Sequence, residues 1–371
     1  MLKKTIAILL CLVFLWMMIP SMTTFAHPGA SAHSFVLMEA RTGEVLAERN
    51  ANEQMLIAST TKIMTAMVTL QHARMDEMVT VDPNAVGIEG SSMYLRSGEE
   101  LTVGELLFGL MLSSGNDAAT ALAYHVAGGV EEFAELMNAQ ADALGMQNSN
   151  FQNPHGLDAD AHYSTALDMA ILTAFALENE DFIEIVSTRS AQVAGRSLVN
   201  SNKLLWRYPD AIGVKTGYTR AAGRSLVGAA ERNGTRLIVV TLSAPNDWSD
   251  HSALFDWGFA HYQYHAVVAE DETFANIPVV SGVMDRVEIV AKEGLGLLLH
   301  PDDVVEVVTY FPQMAFAPLI AGSLAGVLMV SVNGETIQEI TLFYRDTIDL
   351  DETNRLTSWE LFRWRVRDFF G

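Results

Sequence analysis

Cysteine is almost absent from this sequence of 371 residues. The single cysteine, Cys11, lies within an apolar run near the N-terminus. If that run is a leader, the chain that remains has no disulfide, no thiol nucleophile and no cysteine ligand for zinc. Disulfide-stabilised folds and cysteine peptidases are thereby excluded.

Positive charge is also scarce. The chain has 23 lysines and arginines against 45 aspartates and glutamates, which gives a net charge of −22. A protein this acidic repels the phosphates of nucleic acids, so we expect no nucleic-acid partner. Half of the residues are hydrophobic and 18% are charged, a composition typical of a globular protein with a sizeable core.

The N-terminus has the pattern of a secretory signal. Two lysines precede an apolar run over residues 6–19, and a proline and small polar residues follow it. We predict a signal peptide over residues 1–32, cleaved after Ala26 or Ala32. The alternative is a retained anchor, although the run is short for a membrane span. The mature protein is therefore expected to be exported across the membrane.

Lysine is rarer than arginine, which accounts for 17 of the 23 basic residues. Two of the four lysines beyond the predicted signal peptide, Lys62 and Lys215, lie in short motifs with serine, threonine or glycine. Arginine stays protonated in proteins, whereas a lysine amine can lose its proton. The two motif lysines therefore mark positions at which a titratable amine is useful.

Three motifs follow one another along the chain: Ser-Thr-Thr-Lys at 59–62, Ser-Gly-Asn at 114–116 and Lys-Thr-Gly at 215–217. Each alone has an ordinary structural explanation, namely a helix-capping serine, a turn and a surface strand. Together they favour a serine nucleophile with a lysine base, because Lys62 projects one helical turn beyond Ser59 on the same face.

The roles of the motif residues follow from their chemistry. Burial and a second cation, Lys215, would lower the pKa of Lys62 enough for it to take the proton of Ser59. The backbone N–H of Ser59, at a helix N-terminus, is an oxyanion donor. Ser114 is expected to relay a proton, and Asn116 to hold the substrate backbone.

The third motif is expected on an edge strand that binds substrate. Gly217 allows close approach of a ligand to the strand. Lys215 and Thr216 suit a substrate carboxylate, because an ammonium and a hydroxyl both donate hydrogen bonds.

These motifs are the signature of penicillin-binding proteins and β-lactamases. Beyond them, the chain resembles the low-molecular-mass D-alanyl-D-alanine carboxypeptidases, a family of serine peptidases, along residues 34–265. The matching segments are IASTTKIMTA (57–66), MLSSGNDAATALA (111–123), NPHGLDADAHYSTALDMA (153–170), NSNKLLWRYPDAIGVKTGYT (200–219) and LFDWGF (254–259).

That resemblance implies an enzyme that removes the terminal D-Ala from peptidoglycan stem pentapeptides through an acyl-enzyme, needs no cofactor or metal, and is acylated by β-lactams. Transfer of the acyl group to an amine stays open beside hydrolysis. The catalytic residues implied are Ser59, Lys62 and Ser114. The substrate-binding residues implied are Asn116, Lys215, Thr216, Gly217 and Tyr218.

The resemblance also implies an oxyanion hole made of the backbone N–H groups of Ser59 and Tyr218. Many relatives carry His or Phe where this chain has Tyr218, a difference that concerns substrate tuning. His155 and Asp158 match the family's His-Gly-Leu-Asp segment and are expected to support the cleft.

The fold implied is an α/β (α+β) penicillin-binding/β-lactamase-like transpeptidase domain over residues 33–275, and the patterns agree with it. Strand-like runs occur over 34–49 and on both sides of Asn233-Gly234, a strong hairpin signal. Helical patterns lie between them and after them, from Ser59 onward and over 103–112, 117–126, 130–144, 164–177 and 247–264.

The pattern of apolar and polar residues changes over about the last hundred residues. Short apolar runs separated by turn residues predict a small all-β domain over 276–350, joined near residues 276–278. Residues 351–371 predict an amphipathic helix that lies on the membrane surface. Its apolar face holds Trp359, Phe362, Val366, Phe369 and Phe370, with Arg363 and Arg367 beside it. A helix packed on the protein's own core is the alternative, and the segment is too short to span a bilayer.

Three other functions are considered. A class A β-lactamase needs a Glu-x-x-Leu-Asn segment, which is absent between residues 116 and 215. A catalytically silent sensor of peptidoglycan or β-lactams is disfavoured by the intact motifs. A zinc peptidase would draw its ligands from His155, Asp158 and His162, or from His261 and His265 at helical spacing, but no His-Glu-x-x-His motif occurs.

Overall fold

The computed structural model describes residues 29–351, so most of the predicted signal peptide and all but the first residue of the predicted C-terminal helix lie outside the described residues. The strands are β1 (Ser34–Glu39), β2 (Val45–Arg49), β3 (Met78–Thr80), β4 (Glu100–Thr102), β5 (Ser190–Val193), β6 (Arg196–Val199), β7 (Ala211–Thr219), β8 (Gly223–Arg232), β9 (Thr235–Leu242), β10 (Gln263–Val268), β11 (Glu272–Val280), β12 (Arg286–Ala291), β13 (Leu295–Leu299), β14 (Val305–Tyr310), β15 (Ala315–Phe316), β16 (Leu324–Val332) and β17 (Glu335–Tyr344). The helices are α1 (Lys62–His72), α2 (Val103–Leu112), α3 (Asn116–Ala127), α4 (Val130–Ala143), α5 (Ala166–Ala176), α6 (Glu180–Ser187), α7 (Leu204–Arg207) and α8 (Asp247–His261), with short 3₁₀ helices at Ala58–Thr61 and Pro83–Ala85.

One five-stranded antiparallel sheet joins the two ends of the catalytic region. Its strand order is β2-β1-β9-β8-β7, so the first hairpin of the chain pairs with strands some two hundred residues later. The predicted turn at Asn233-Gly234 is confirmed: both residues have positive φ, +51° and +81°, as the tight turn between β8 and β9 requires. The sheet leaves β7, which carries the third motif, at its edge.

The sheet is buried on both faces, because successive side chains of a strand point in opposite directions. Val36 and Met38 of β1 face the largest apolar cluster, which the helices between β2 and β7 complete. Phe35 and Leu37 face a second cluster, which α8 closes with Leu254 and other residues. The mixed α/β layering predicted for this region is confirmed.

The predicted helices are confirmed with small shifts at their ends. Several further elements were missed, among them α6, α7, the β3–β4 pair and the β5–β6 hairpin. The segment that forms α6 has many acidic residues and only eight helical positions, too few for a clear period. Its start is nevertheless encoded, because the Asn179 side chain accepts a hydrogen bond from the N–H of Phe182 at 2.9 Å.

Helix α8 ends at His261, three residues before the predicted end. Tyr262 is extended, and the chain then forms β10, which pairs with β13. His261 and His265 therefore lie on different elements and do not share a helical face, which removes the basis of the second zinc alternative. Within residues 29–351 no group of three or more His, Cys, Asp or Glu side chains is arranged to hold a metal ion.

The C-terminal part is an all-β module with its own apolar core. A six-stranded sheet has the order β14-β16-β17-β12-β11-β15, and β10 and β13 form a separate pair. Strand β11 spans residues 275 and 276, and β10 follows directly after α8. Pro278 lies inside β11, just before Val279 starts the short parallel pairing with β15. In the described part of the chain, no helix has the length and apolarity needed to cross a bilayer.

Candidate active site

Ser59 lies on the 3₁₀ helix Ala58–Thr61, directly before α1, where it borders a cleft of about 400 Å³. The preceding residue, Ala58, is buried and has a φ of +48°, a conformation that costs a non-glycine residue free energy and is kept only where surrounding contacts impose it. The cleft is lined by Ser59, Ser91, Ser114, Ser201, Lys203, Thr216, Gly217, Tyr218, Arg224, Ser225, Asp247 and Trp248. All three motifs therefore contribute side chains or backbone to one cavity.

Two glycines allow other segments to approach the turn that carries Ser59. A Cβ on Gly217 would lie 2.9 Å from the carbonyl oxygen of Ile57 and 3.2 Å from the backbone nitrogen of Ser59. A Cβ on Gly156, whose φ is +84°, would lie 1.9 Å from the carbonyl oxygen of Ala58. Only glycine fits at these contacts, so strand β7 and the loop around Gly156 pack directly on the backbone beside Ser59.

The Lys62 amine is fully buried and lies 2.9 Å from the Ser59 hydroxyl oxygen. It also lies 2.7 Å from Asn116 Oδ1 and 2.7 Å from the carbonyl oxygen of His155, both of which only accept hydrogen bonds. A neutral amine has two N–H groups and one lone pair. The two acceptors take the two N–H groups, which leaves the lone pair for the hydroxyl proton of Ser59.

The electrostatic surroundings favour that neutral form. Burial lowers the pKa of Lys62 well below its ordinary value of 10.5, and the positive charge of Lys215 lowers this pKa further, while Asp117 acts in the opposite direction. A charged amine loses the hydration that stabilises it when it is buried, so its proton is released more easily. The arrangement supplies a base within hydrogen-bond reach of a hydroxyl.

Ser114 and Lys215 form a second pair in the cleft. The Lys215 amine donates to Ser114 Oγ at 3.0 Å and to the carbonyl oxygen of Thr216 at 2.9 Å. Burial lowers the pKa of Lys215 to about 7. Ser114 has a φ of +58°, so the loop between α2 and α3 is bent sharply to bring its hydroxyl to Lys215.

The chain after Ser114 is anchored by a buried carboxylate. Asp117 accepts the N–H groups of Met93 and Leu95, each at 3.0 Å, and the hydroxyl of Ser92 at 2.6 Å. These bonds hold the segment around Ser92 against the start of α3. Motif reasoning did not identify Asp117, although its place directly after Ser-Gly-Asn and at the first turn of a helix was a usable signal.

A buried histidine is hydrogen-bonded to the turn that carries Ser59. His162 Nδ1 accepts the N–H of Gln152 at 3.0 Å, so its proton lies on Nε2, which donates to Thr61 Oγ1 at 2.8 Å. Burial lowers the pKa of His162 to about 4, against an opposing effect of Asp158, so the ring is neutral near pH 7. His162, considered above only as a metal ligand, is thus tied to the motif residue Thr61.

The other residues predicted from the sequence lie in or beside the cleft. Thr216, Gly217 and Tyr218 line the cleft beside Ser59, and Asp158 accepts a hydrogen bond from the Thr219 hydroxyl at 2.9 Å, at the end of β7. Asn116 differs from the expectation, because its Oδ1 faces Lys62 and its Nδ2 donates to the carbonyl oxygen of Glu89. Both polar atoms of this side chain are therefore engaged within the protein.

We expect Gly156→Ala to destabilise the protein far more than Gly145→Ala. Gly145 has a similar φ, +74°, but an added Cβ there would meet nothing within 4 Å. The control variant Gly145→Ala should lower the free energy of unfolding by about 1 kcal/mol, because alanine is strained in a left-handed backbone conformation. The clash with Ala58 should raise the cost of Gly156→Ala to about 3 kcal/mol or more. The midpoint of thermal unfolding measures both, and equal shifts for the two variants would show that the close packing on Ala58 is unimportant.

Comparison with known proteins places this arrangement in a family. Residues 21–246 match the family model described as D-alanyl-D-alanine carboxypeptidase, and residues 262–349 match that of the penicillin-binding protein 5 C-terminal domain. The D-alanyl-D-alanine carboxypeptidase DacF of Bacillus subtilis is 33% identical over 331 residues, which cover 85% of this chain and 84% of that protein. The corresponding DacC of Escherichia coli is 34% identical over 347 residues, covering 88% and 86%.

A solved structure is similar to this chain over nearly the same share of its length. Penicillin-binding protein 5 of Haemophilus influenzae superposes with a TM-score of 0.73 at 29% identity, covering 88% of this chain and 99% of that one. The penicillin-binding fold followed by an all-β C-terminal domain is thereby confirmed. Since the first model alone matches more than half of the sequence, the chain belongs to the D-alanyl-D-alanine carboxypeptidase family of penicillin-binding serine peptidases.

Proposed function

We propose that this protein is a serine D-alanyl-D-alanine carboxypeptidase that removes the terminal D-Ala from peptidoglycan stem pentapeptides through an acyl-enzyme on Ser59. β-Lactams acylate the same serine and act as inhibitors. The observation that carries the proposal is the Lys62 amine, buried, depressed in pKa and 2.9 Å from the Ser59 hydroxyl. Family membership supports the same activity.

Acylation proceeds in two proton transfers. Ser59 Oγ attacks the carbonyl carbon of the penultimate D-Ala as its proton passes to the lone pair of Lys62. The backbone N–H groups of Ser59 and Tyr218 stabilise the oxyanion that forms. The C–N bond then breaks, and the nitrogen of the departing D-Ala takes a proton from Lys62, relayed by Ser114. The products are free D-Ala and an ester on Ser59.

Deacylation repeats the sequence with water. A water molecule gives its proton to Lys62 and attacks the ester carbonyl, and Ser59 regains a proton as the shortened peptide leaves. Within the described residues no glutamate lines the cleft, and its one carboxylate, Asp247, accepts hydrogen bonds from Arg224. This supports the peptidase over the β-lactamase.

The remaining motif residues bind substrate in this proposal. The edge strand β7 pairs with the peptide backbone, and Gly217 keeps that approach open. Lys215 and Thr216 bind the carboxylate of the leaving D-Ala, with Lys215 also keeping the pKa of Lys62 low. Asn116, whose amide is engaged with Lys62, acts on the base more directly than on the substrate.

The protein is proposed to be exported and held at the membrane surface. The domains in this proposal are a signal peptide, a catalytic domain over 33–275, a β domain over 276–350 and a membrane-associating segment over 351–371. The aromatic and arginine residues of that last segment suit the interface of a bilayer. Substrate is then reached in the cell-wall space.

Of the two expected cleavage positions, the one after Ala26 fits the folded domain. Ser31 donates from its N–H and its hydroxyl to the Asp250 carboxylate, at 2.9 and 2.6 Å. Ala32 is 2% exposed, and its carbonyl oxygen accepts a hydrogen bond from Arg49 at 2.8 Å. Removal of residues 27–32 would leave the buried side of Asp250 without these donors, which is costly.

We therefore expect the exported protein to begin at His27. N-terminal sequencing of protein purified from the membrane or medium of a producing cell measures this directly. A first residue at position 33 would overturn the argument from the Ser31 contacts. A retained Met1 would show that the leader is not cleaved.

We expect Lys62→Arg to lower the rate of acylation by at least ~10³-fold, because arginine cannot give up its proton to act as a base. Labelled penicillin and D-Ala release from a D-Ala-D-Ala peptide measure the two activities. Ser59→Ala should remove the label entirely. Lys292→Arg is the matched control, since Lys292 lies over the Phe343 ring in the β module, and it should keep full activity. Full labelling of Ser59→Ala would refute the proposed mechanism.

We expect Lys215→Gln to move the acidic limb of the acylation rate to higher pH. In the unaltered protein the rate rises with pH as Lys62 loses its proton, and the positive charge of Lys215 lowers the pKa at which this happens. Without that charge, Lys62 holds its proton to higher pH. The midpoint of the limb is compared, since the maximal rate also falls with loss of carboxylate binding. An unshifted midpoint would show that Lys215 does not tune the base.

A further inference from the structure

The β module exposes apolar side chains at the place where the described chain ends. Six of them form what we call the terminal patch: Val280, Val283, Met284, Phe316, Ile320 and Leu350. Phe316 and Ile320 are 65% and 69% exposed, values unusual for side chains of this size.

Backbone pairing brings together the segments that carry the patch. Val280 pairs with Phe316 in the parallel contact between β11 and β15. The N–H of Val283 donates to the carbonyl oxygen of Asp349 at 3.0 Å, and an isolated bridge joins Gly282 to Leu350. Ile320 follows Leu319, which bridges to Ile348. The segments that carry the patch are thus hydrogen-bonded neighbours along one edge of the module.

The chain beyond residue 351 starts from this edge, since the N–H of Asp351 donates to the carbonyl oxygen of Ser281 at 2.9 Å. Twenty further residues follow, among them Trp359, Phe362, Trp364, Phe369 and Phe370. The segment proposed to bind a lipid surface therefore begins beside the terminal patch. If that segment binds a bilayer, the bilayer surface lies close to the patch, because few residues separate the two along the chain.

We propose that the terminal patch is a second membrane-contacting surface, which enters the bilayer interface together with the C-terminal segment. The inference rests on the proposed membrane association of that segment. The carboxylates of Asp285 and Asp349, next in sequence to Met284 and Leu350, disfavour anionic lipid, so the patch contacts lipid through apolar insertion rather than charge. Two attachments, the C-terminal segment and the terminal patch on a sheet edge, fix the orientation of the module at the membrane.

The alternative occupant of the patch is the C-terminal segment itself, folded back on it. The two possibilities predict opposite effects of a polar patch. If lipid covers the patch, polar substitutions weaken vesicle binding. If the segment covers it, the same substitutions release the segment and strengthen vesicle binding.

The test uses the whole exported chain and vesicles of phosphatidylcholine. We expect Phe316→Ser with Ile320→Ser to lower the vesicle partition coefficient by ~10-fold or more, because two large apolar side chains no longer insert. Val308→Ser with Tyr310→Ser is the matched control on β14, at the opposite edge of the same sheet, where the exposures are 45% and 59%. The control should change binding less than twofold. Unchanged or stronger binding by the patch variant would overturn the proposal.

A second measurement uses the lack of cysteine beyond Cys11. An environment-sensitive dye on Ile320→Cys should shift to the blue when vesicles are added, and the same dye on Val308→Cys should not. Deletion of residues 355–371 tests the C-terminal segment separately, and penicillin labelling of every variant reports the active site and the fold. Loss of binding on deletion, with no effect of the patch variant or its dye, would leave the proposed function standing and refute the patch.

Discussion

The contact on which the site depends is the one between a buried amine and a hydroxyl. Lys62 is surrounded so that two acceptors, Asn116 Oδ1 and the carbonyl oxygen of His155, take its N–H groups, and Ser59 lies at the remaining position. Burial makes the protonated form costly, and a second buried lysine adds repulsion. The same burial that would destabilise an isolated protonated lysine favours release of the Lys62 proton.

Much of the surrounding structure serves to hold the turn that carries Ser59. Gly156 and Gly217 bring backbone from two distant segments against it, and Ala58 is held in a left-handed conformation between them. His162 is bonded to Thr61 on the same turn. These contacts come from parts of the chain about a hundred or more residues apart, so the position of Ser59 reflects the packing of the whole domain rather than the propensity of a single helix.

Charge is distributed unevenly over this acidic protein. Two of the few lysines are buried at the cleft, where their lowered pKa values reduce the cost of burying them. Most of the large exposed apolar side chains, including Phe316 and Ile320, lie in the β module. The described chain thus places the cleft in the α/β region and much of the exposed apolar surface in the all-β module that follows α8.

Sequence alone determined the family, the strands around Asn233-Gly234, the helices of regular period and the three motifs, because these depend on local pattern and residue type. It also singled out Lys62 and Lys215 through the scarcity of lysine. It did not reveal α6 or the contacts of Asp117, Gly156 and His162. The partners of those residues lie far along the chain, and only tertiary packing brings them into contact. The engagement of Asn116 with Lys62 was decided in the same way, since a side chain's partner depends on what the fold places beside it.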